Sequence, residues 1–326
     1  IVWKKNYYNK QEKKAKPIAY SEIFHSIQGE GYYTGVPSTW LRFFLCNLQC
    51  DGFGQDDPTK PDTYDLPYQN IDVKDITKIE DLPVWEKGCD SSYSWSKKFR
   101  HLQHKHTADD IGVLLTDANK NEYNPDGMWT HPVSGQTTHL CITGGEPLMK
   151  HAQKAFVNIW GEKFRGNLLG WKPTDVTWET NGTQELTDEF FDYVSNPGVF
   201  TPRPFISCSP KLFTVSGELP KKAIKPDFVA KYDDMVRRNN RTATPIPHGQ
   251  LKFVLGPKKE QWEELEDVIS QFRAAGVDWP VYIMPVGATL EGQALVDGDV
   301  AKMAQSRGYR VAARVHTYLY GNEIGV

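Results

Sequence analysis

The chain has 326 residues, room for one large barrel or two ordinary domains, and its 39% hydrophobic residues, with 10 Trp, 15 Tyr and 15 Phe, supply a packed core. A net charge of −3, from 38 Lys and Arg against 41 Asp and Glu, gives no general attraction to nucleic acid, and no run of 18 apolar residues exists to span a membrane. Five cysteines, an odd number, behind a basic N-terminus without an apolar export signal point to a reducing, cytoplasmic setting with metal-bound or free thiols rather than disulfides.

Residues 1–20 read as a solvated tail, and 21–326 as one domain. Short apolar, β-rich runs then recur. They are STWLRFFL (38–45), THLCIT (138–143), DVTWET (175–180), RPFISCS (203–209), QLKFVL (250–255) and PVYIMPV (280–286), with YRVAARVH (309–316) as a last candidate. Helical segments lie between them. TADDIGVLLTDA (107–118) opens with Thr107 and Asp110 at capping-box spacing. KKEQWEELEDVISQFRAAG (258–276) and DGDVAKMAQSRG (297–308) both close on glycine. Strands alternating with helices make an α/β fold with a parallel sheet, either a partial (β/α)6 barrel or a doubly wound sheet. Residues 51–88 and 214–249 show no clear period and read as two long insertions.

Three motifs carry chemistry. RFFLCNLQC (42–50) ends an apolar run in Cys46 and Cys50, and KGCDSSYSW (87–95) brings Cys89 after the first insertion. Three thiolates from one loop suit an iron–sulfur cluster, while a structural zinc asks for four ligands. The competing reading makes them ordinary loop or core thiols. CITGGEP (141–147) ends a strand in two glycines, whose bare backbone admits a ligand, and in Glu146, a carboxylate that attracts an ammonium. Alone, it is also good turn chemistry. Cys141 and Cys208 fall inside apolar strands and read as core thiols.

Together Cys46, Cys50, Cys89 and Gly144–Pro147 resemble the radical S-adenosylmethionine superfamily. EIFHSIQGEGYYTGVPSTWLRFFLCNLQC (22–50), CDSSYSW (89–95), WETNGT (178–183), SCSPKL (207–212) and RVHTYLYGNEIGV (314–326) resemble, within it, the 7-carboxy-7-deazaguanine synthase (QueE) family. The resemblance implies a partial barrel of the radical S-adenosylmethionine type. It implies conversion of 6-carboxy-5,6,7,8-tetrahydropterin to 7-carboxy-7-deazaguanine by radical ring contraction with loss of ammonia, a step toward queuosine-type 7-deazaguanines. The implied cofactors are a [4Fe–4S] cluster, S-adenosylmethionine and Mg2+. The implied partners are an electron donor such as a flavodoxin and a second copy in a homodimer, with no membrane and no direct nucleic acid.

Carried onto this chain, the resemblance assigns the cluster to Cys46, Cys50 and Cys89. It seats S-adenosylmethionine on Gly144, Gly145, Glu146, Glu179, Asn181, Ser209 and Lys211. Gln28 and Glu30 offer the pterin an amide-matching edge, Arg42 takes its carboxylate, and His316 joins the pocket. Ser91, where the family usually has Thr, keeps a hydroxyl for Mg2+. Read from residues alone, Arg42 pairs equally well with an internal carboxylate, and Glu179 and Asn181 with a turn. Lys211 also reads as a solvated head, His316 as a core histidine, and Gln28 and Glu30 as a flexible loop. The departure from the family is the 38 residues between Cys50 and Cys89, where its pattern has two. Longer loops add closure entropy only slowly, so the cluster reading survives the excursion. Two rivals are another radical S-adenosylmethionine enzyme, such as a glycyl-radical activase, and a non-catalytic zinc-binding module.

Overall fold

The protein is described from a computed structural model covering residues 16–161, 170–240 and 246–325. The expected tail lies outside the described residues up to position 15, and its boundary moves, because the first strand already starts at Ile18. Nine strands form one sheet among these residues: β1 (Ile18–Ile27), β2 (Pro37–Phe43), β3 (His104–His106), β4 (His139–Gly144), β5 (Asp175–Thr180), β6 (Arg203–Cys208), β7 (Gly249–Leu255), β8 (Val281–Pro285) and β9 (Arg310–Val311). Their order is β3-β1-β2-β4-β5-β6-β7-β8-β9. From β2 onward every pair is parallel, whereas β1 runs antiparallel to β2 and β3.

The parallel strands follow chain order without a reversal, which is singly wound, barrel-type topology rather than a doubly wound sheet. Among the described residues its two edge strands, β3 and β9, do not pair, so the barrel is partial. The covering helices pack on one another in the same sequence: Ala108–Asp117 on Lys150–Ile159, then Asp188–Ser195, Pro226–Asn239 and Lys259–Ala274. The capping box at Thr107 and Asp110 is formed. Period-two alternation separates two chemistries. On β5, Val176 and Trp178 enter the core, where Trp178 meets Phe156 and Phe190 edge-on at 5.1 and 5.7 Å. Glu179, between Trp178 and Thr180, faces the other way, into the barrel mouth. On β7, Leu251, Phe253 and Leu255 are core, and Lys252 and Val254 line the mouth.

Two further expectations change. YRVAARVH is not one strand: pairing stops at Val311, and Val315–Tyr320 is helical. Residues 214–249 are not an aperiodic insertion. They contain Pro226–Asn239, the helix that carries the chain from β6 to β7, burying Val229, Tyr232, Met235 and Val236. Residues 51–88 lack strands and long helices, yet they pack. Tyr68, Ile79, Leu82 and Trp85 form a small core with Tyr93, Phe99 and Leu102. The neck of this excursion is closed by the Gly88 amide, which donates to the Phe53 carbonyl at 2.8 Å. Among the described residues no helix is long and apolar enough to cross a membrane.

Candidate active site

Open α/β sheets and barrels present their strand C-termini as ligand sites, and here those ends surround a cavity of about 370 Å³. Cys46, Cys50 and Cys89 all line it. The closed neck of the 51–88 excursion returns Cys89 to the other two, and the three pack around Leu48, Phe53 and Ala223. Among the described residues none of the three forms a disulfide. Burial, followed by neighbouring negative charge, pushes Cys46 up to about 12 and Cys89 up to about 11, and burial carries Cys50 well above an ordinary thiol. Lys211 opposes this shift at all three sulfurs. Such thiols become thiolates only against positive charge.

Among the described residues no three His, Cys, Asp or Glu side chains gather closely enough to hold a single metal ion. A polynuclear cluster asks instead for thiols around one cavity wall, each meeting its own iron. Three cysteine thiols on one cavity wall are the donor set that a three-cysteine iron–sulfur cluster would use.

The Gly144–Pro147 turn lies directly against the cysteine loop. A Cβ on Gly144 would strike the Phe43 carbonyl oxygen, and one on Gly145 would lie 2.7 Å from Cys46 Cβ. These glycines are demanded first by backbone packing, and both then border the cavity. Glu146, expected to attract an ammonium, is not among the residues lining the cavity, and its first partners are internal. Glu146 is fully buried, and its oxygens accept from the Leu148 amide (2.8 Å), the Thr180 hydroxyl (2.7 Å) and the Asn181 amide (2.7 Å). It ties the end of β5 to the glycine turn.

Burial pushes the Glu146 carboxyl up to about 7 despite those bonds. A folded-state pKa above the unfolded one stabilises below the unfolded value of 4.5 and is lost as pH rises through about 7. Glu146→Gln resembles the protonated acid, so it is expected to cost less than about 1 kcal/mol at pH 4.5 and to overtake the wild type as pH rises past about 7, where the buried wild-type carboxyl must ionise. Urea unfolding across that range checks both the size and the sign.

Asn181 borders the cavity. Its amide nitrogen donates to Asn47 Oδ1 at 3.2 Å and lies 3.8 Å from Cys46 Sγ, while its oxygen accepts from Thr183. The side chain braces the cysteine loop while still lining the cavity, beside Glu179 and Thr180 from the end of β5. Ser209 and Lys211 border the cavity together, with Lys211 Nζ 3.0 Å from Ser209 Oγ and over the Phe53 ring.

The opposite wall is a charge network. Lys252 Nζ donates to Glu30 at 2.5 Å and to Glu179 at 3.1 Å. Arg314 Nε lies 3.2 Å from Glu30, and its Nη2 3.2 Å from Asp90. The amide of Gln28 donates to Glu179 at 2.9 Å and accepts from the Glu30 backbone at 3.0 Å. Gln28 therefore holds the Glu179 carboxylate and the Glu30 backbone, and both ends of its amide have internal partners. Arg42 lines the cavity, but its Nε is bonded to Glu22 at 2.5 Å, and its guanidinium sits over the Phe24 and Tyr93 rings. An internal carboxylate is thus its first partner. Ser91 lies on the wall with its hydroxyl 3.1 Å from Asp90, placing two hard oxygen donors side by side.

His316 packs so tightly on Gly29 that a Cβ there would overlap the imidazole, and the Val315 amide donates to the Gly29 carbonyl at 2.9 Å. Gly29→Ala is expected to cost about 1–3 kcal/mol through overpacking and to displace His316 from the wall. Denaturant midpoints, with the imidazole followed by NMR, test both.

Lys252, Arg314 and Asp90 escaped sequence reasoning. For Lys252 the signal existed: a charge between two core residues in an apolar strand must face a lumen and find partners.

No protein-family model matches the chain. It is similar over nearly its whole length to proteins named 7-carboxy-7-deazaguanine synthase. The Halobacterium salinarum protein is 25% identical over 318 residues, 94% of this chain and 91% of that protein. The Leptospira interrogans protein is 22% identical over 309 residues, 94% of this chain and 96% of that one. The crystal structure of QueE from Escherichia coli aligns with 92% of this chain and 95% of its own, at 17% identity and a TM-score of 0.45.

Proposed function

We propose that the chain is a 7-carboxy-7-deazaguanine synthase of the radical S-adenosylmethionine type. It would turn 6-carboxy-5,6,7,8-tetrahydropterin into 7-carboxy-7-deazaguanine with loss of ammonia. One observation carries the reading: three cysteines from two distant segments and a wall of strand-end carboxylates and cations share one cavity, in a chain similar along 94% of its length to proteins of that name.

In this reading Cys46, Cys50 and Cys89 hold the [4Fe–4S] cluster. When bound, the cluster and S-adenosylmethionine supply one-electron reduction and hydrogen abstraction. The chain's own residues bind, orient and exclude water. Backbone groups of Gly144 and Gly145 seat the amino group of S-adenosylmethionine, and Ser209 and Lys211 its carboxylate. Glu179 and Glu30, both paired with Lys252, accept from the pterin's amide and amine hydrogens. Arg42 keeps Glu22 on Nε and turns its terminal nitrogens to the substrate carboxylate, a charge-assisted pairing. Ser91 and Asp90 supply oxygen ligands for Mg2+, and His316 closes the pocket. A flavodoxin-like electron donor and a homodimeric state complete the proposal.

The test is anaerobic reconstitution with iron and sulfide, then incubation with S-adenosylmethionine, reductant, Mg2+ and the carboxytetrahydropterin. Formation of 7-carboxy-7-deazaguanine supports the reading. Cofactor cleavage without that product would move it to a different radical enzyme.

A further inference from the structure

The cysteine loop contains an uncommon backbone. Cys50 has φ of +56°, in the left-handed region, without being glycine. A side chain there costs about 1–2 kcal/mol and persists only when neighbours fix it. The neighbour is Glu218, from the segment that follows Lys211. Glu218 is 7% exposed, and its Oε1 accepts two successive backbone amides, Gln49 at 2.6 Å and Cys50 at 2.9 Å. Its Oε2 meets Lys222 at 3.2 Å. The same segment grips the next turn of the loop, where the Gly52 amide donates to the Ser216 carbonyl at 3.0 Å. Ala223 completes the contact by packing on Leu48 and Cys50.

We propose that Glu218 is a positioning residue for the iron–sulfur cluster: it fixes the Cys50 backbone and sets a lower reduction potential. The proposal rests on the assignment of the cluster to Cys46, Cys50 and Cys89. Backbone amides directed at cluster sulfurs, and nearby positive charge, raise such potentials. Here the two amides at the ligand turn instead to a carboxylate, and an anion is fixed beside the cluster loop. Lys222 offsets that charge only in part, because its side chain is half exposed. A lower potential favours electron delivery to a sulfonium. The geometry and the charge of Glu218 are separable by substitution. Glu218→Gln keeps an oxygen for both amides and removes the charge, whereas Glu218→Ala removes both.

Wild type, E218Q, E218A and K222Q are reconstituted anaerobically, and iron per chain and cluster midpoint potential are measured. The expected result is wild-type iron with a positive midpoint shift for E218Q, at least a two-fold loss of iron for E218A, and full iron with a negative shift for K222Q. Should E218A fail to fold, E218Q and K222Q still decide the matter. An unchanged midpoint in E218Q beside a loaded wild type overturns this proposal alone. A wild type that takes up no iron and sulfide overturns the cluster assignment as well, and the two failures are told apart by that control.

Discussion

Lys252→Met is expected to lose about 3–5 kcal/mol of stability, because removing one partner of a buried ion pair leaves uncompensated charge. Lys252 is 4% exposed and touches two carboxylates contributed by strands and loops far apart in sequence, Glu30 and Glu179. Burial would raise the Glu30 carboxyl, but Lys252, Arg314 and His316 outweigh it and hold Glu30 well below the usual carboxylate range. A depressed folded-state pKa stabilises above the unfolded value of 4.5 and is lost as pH falls below it. The variant's deficit should therefore be full at pH 7 and shrink below about pH 4.5. Chemical denaturation at pH 7 and pH 3, well inside that window, tests this, and an equal deficit at both would contradict the ion-pair account. Affinity for pterin-6-carboxylate should fall with it. Two anions released from one clamp no longer present a fixed acceptor edge, and misplacing such an edge by about 1 Å costs on the order of 10²-fold.

Cys89→Ser should abolish the iron–sulfur chromophore and reduce turnover by more than the ~10–100-fold that losing an outer-sphere partner of a metal site costs. C46S and C50S should match it, although Cys89 stands beyond a 38-residue excursion. The closed neck at Phe53 and Gly88 returns Cys89 to the cavity that Cys46 and Cys50 line. C141S and C208S are the informative controls. Both thiols are 0–1% exposed, and neither lines the cavity. They should keep full iron and lose only about 1 kcal/mol of packing. Iron analysis after reconstitution, with absorbance near the cluster bands, separates the two groups of variants.

Much of this fold is legible in the sequence because buried parallel strands read as continuous apolar runs. DVTWET coincides with β5, and THLCIT, RPFISCS, QLKFVL and PVYIMPV each fall within a residue of their strands. β1 is harder: IAYSEIFHSI mixes polar and apolar residues because the strand is antiparallel and near an edge, with Glu22 facing Arg42. The 226–239 helix carried a readable period in Val229, Tyr232, Met235 and Val236, obscured by the charged residues between them. The 51–88 excursion is illegible in principle, since its small core joins residues at no fixed spacing. The site divides in the same way. Cysteines and glycine turns announce themselves locally, whereas the clamp between Glu30 and Lys252 spans 222 positions and exists only after folding. The Glu146 carboxylate shows the converse. Its motif looks ligand-directed, yet its three bonds are all internal.

The most direct measurement is electron paramagnetic resonance of the anaerobically reconstituted, reduced protein before and after S-adenosylmethionine is added, with iron and sulfide quantified on the same sample. The account requires about four iron and four sulfide per chain, and a reduced-cluster signal that changes when the methionine moiety reaches the open iron. One tightly held zinc, or a signal indifferent to S-adenosylmethionine, would contradict it.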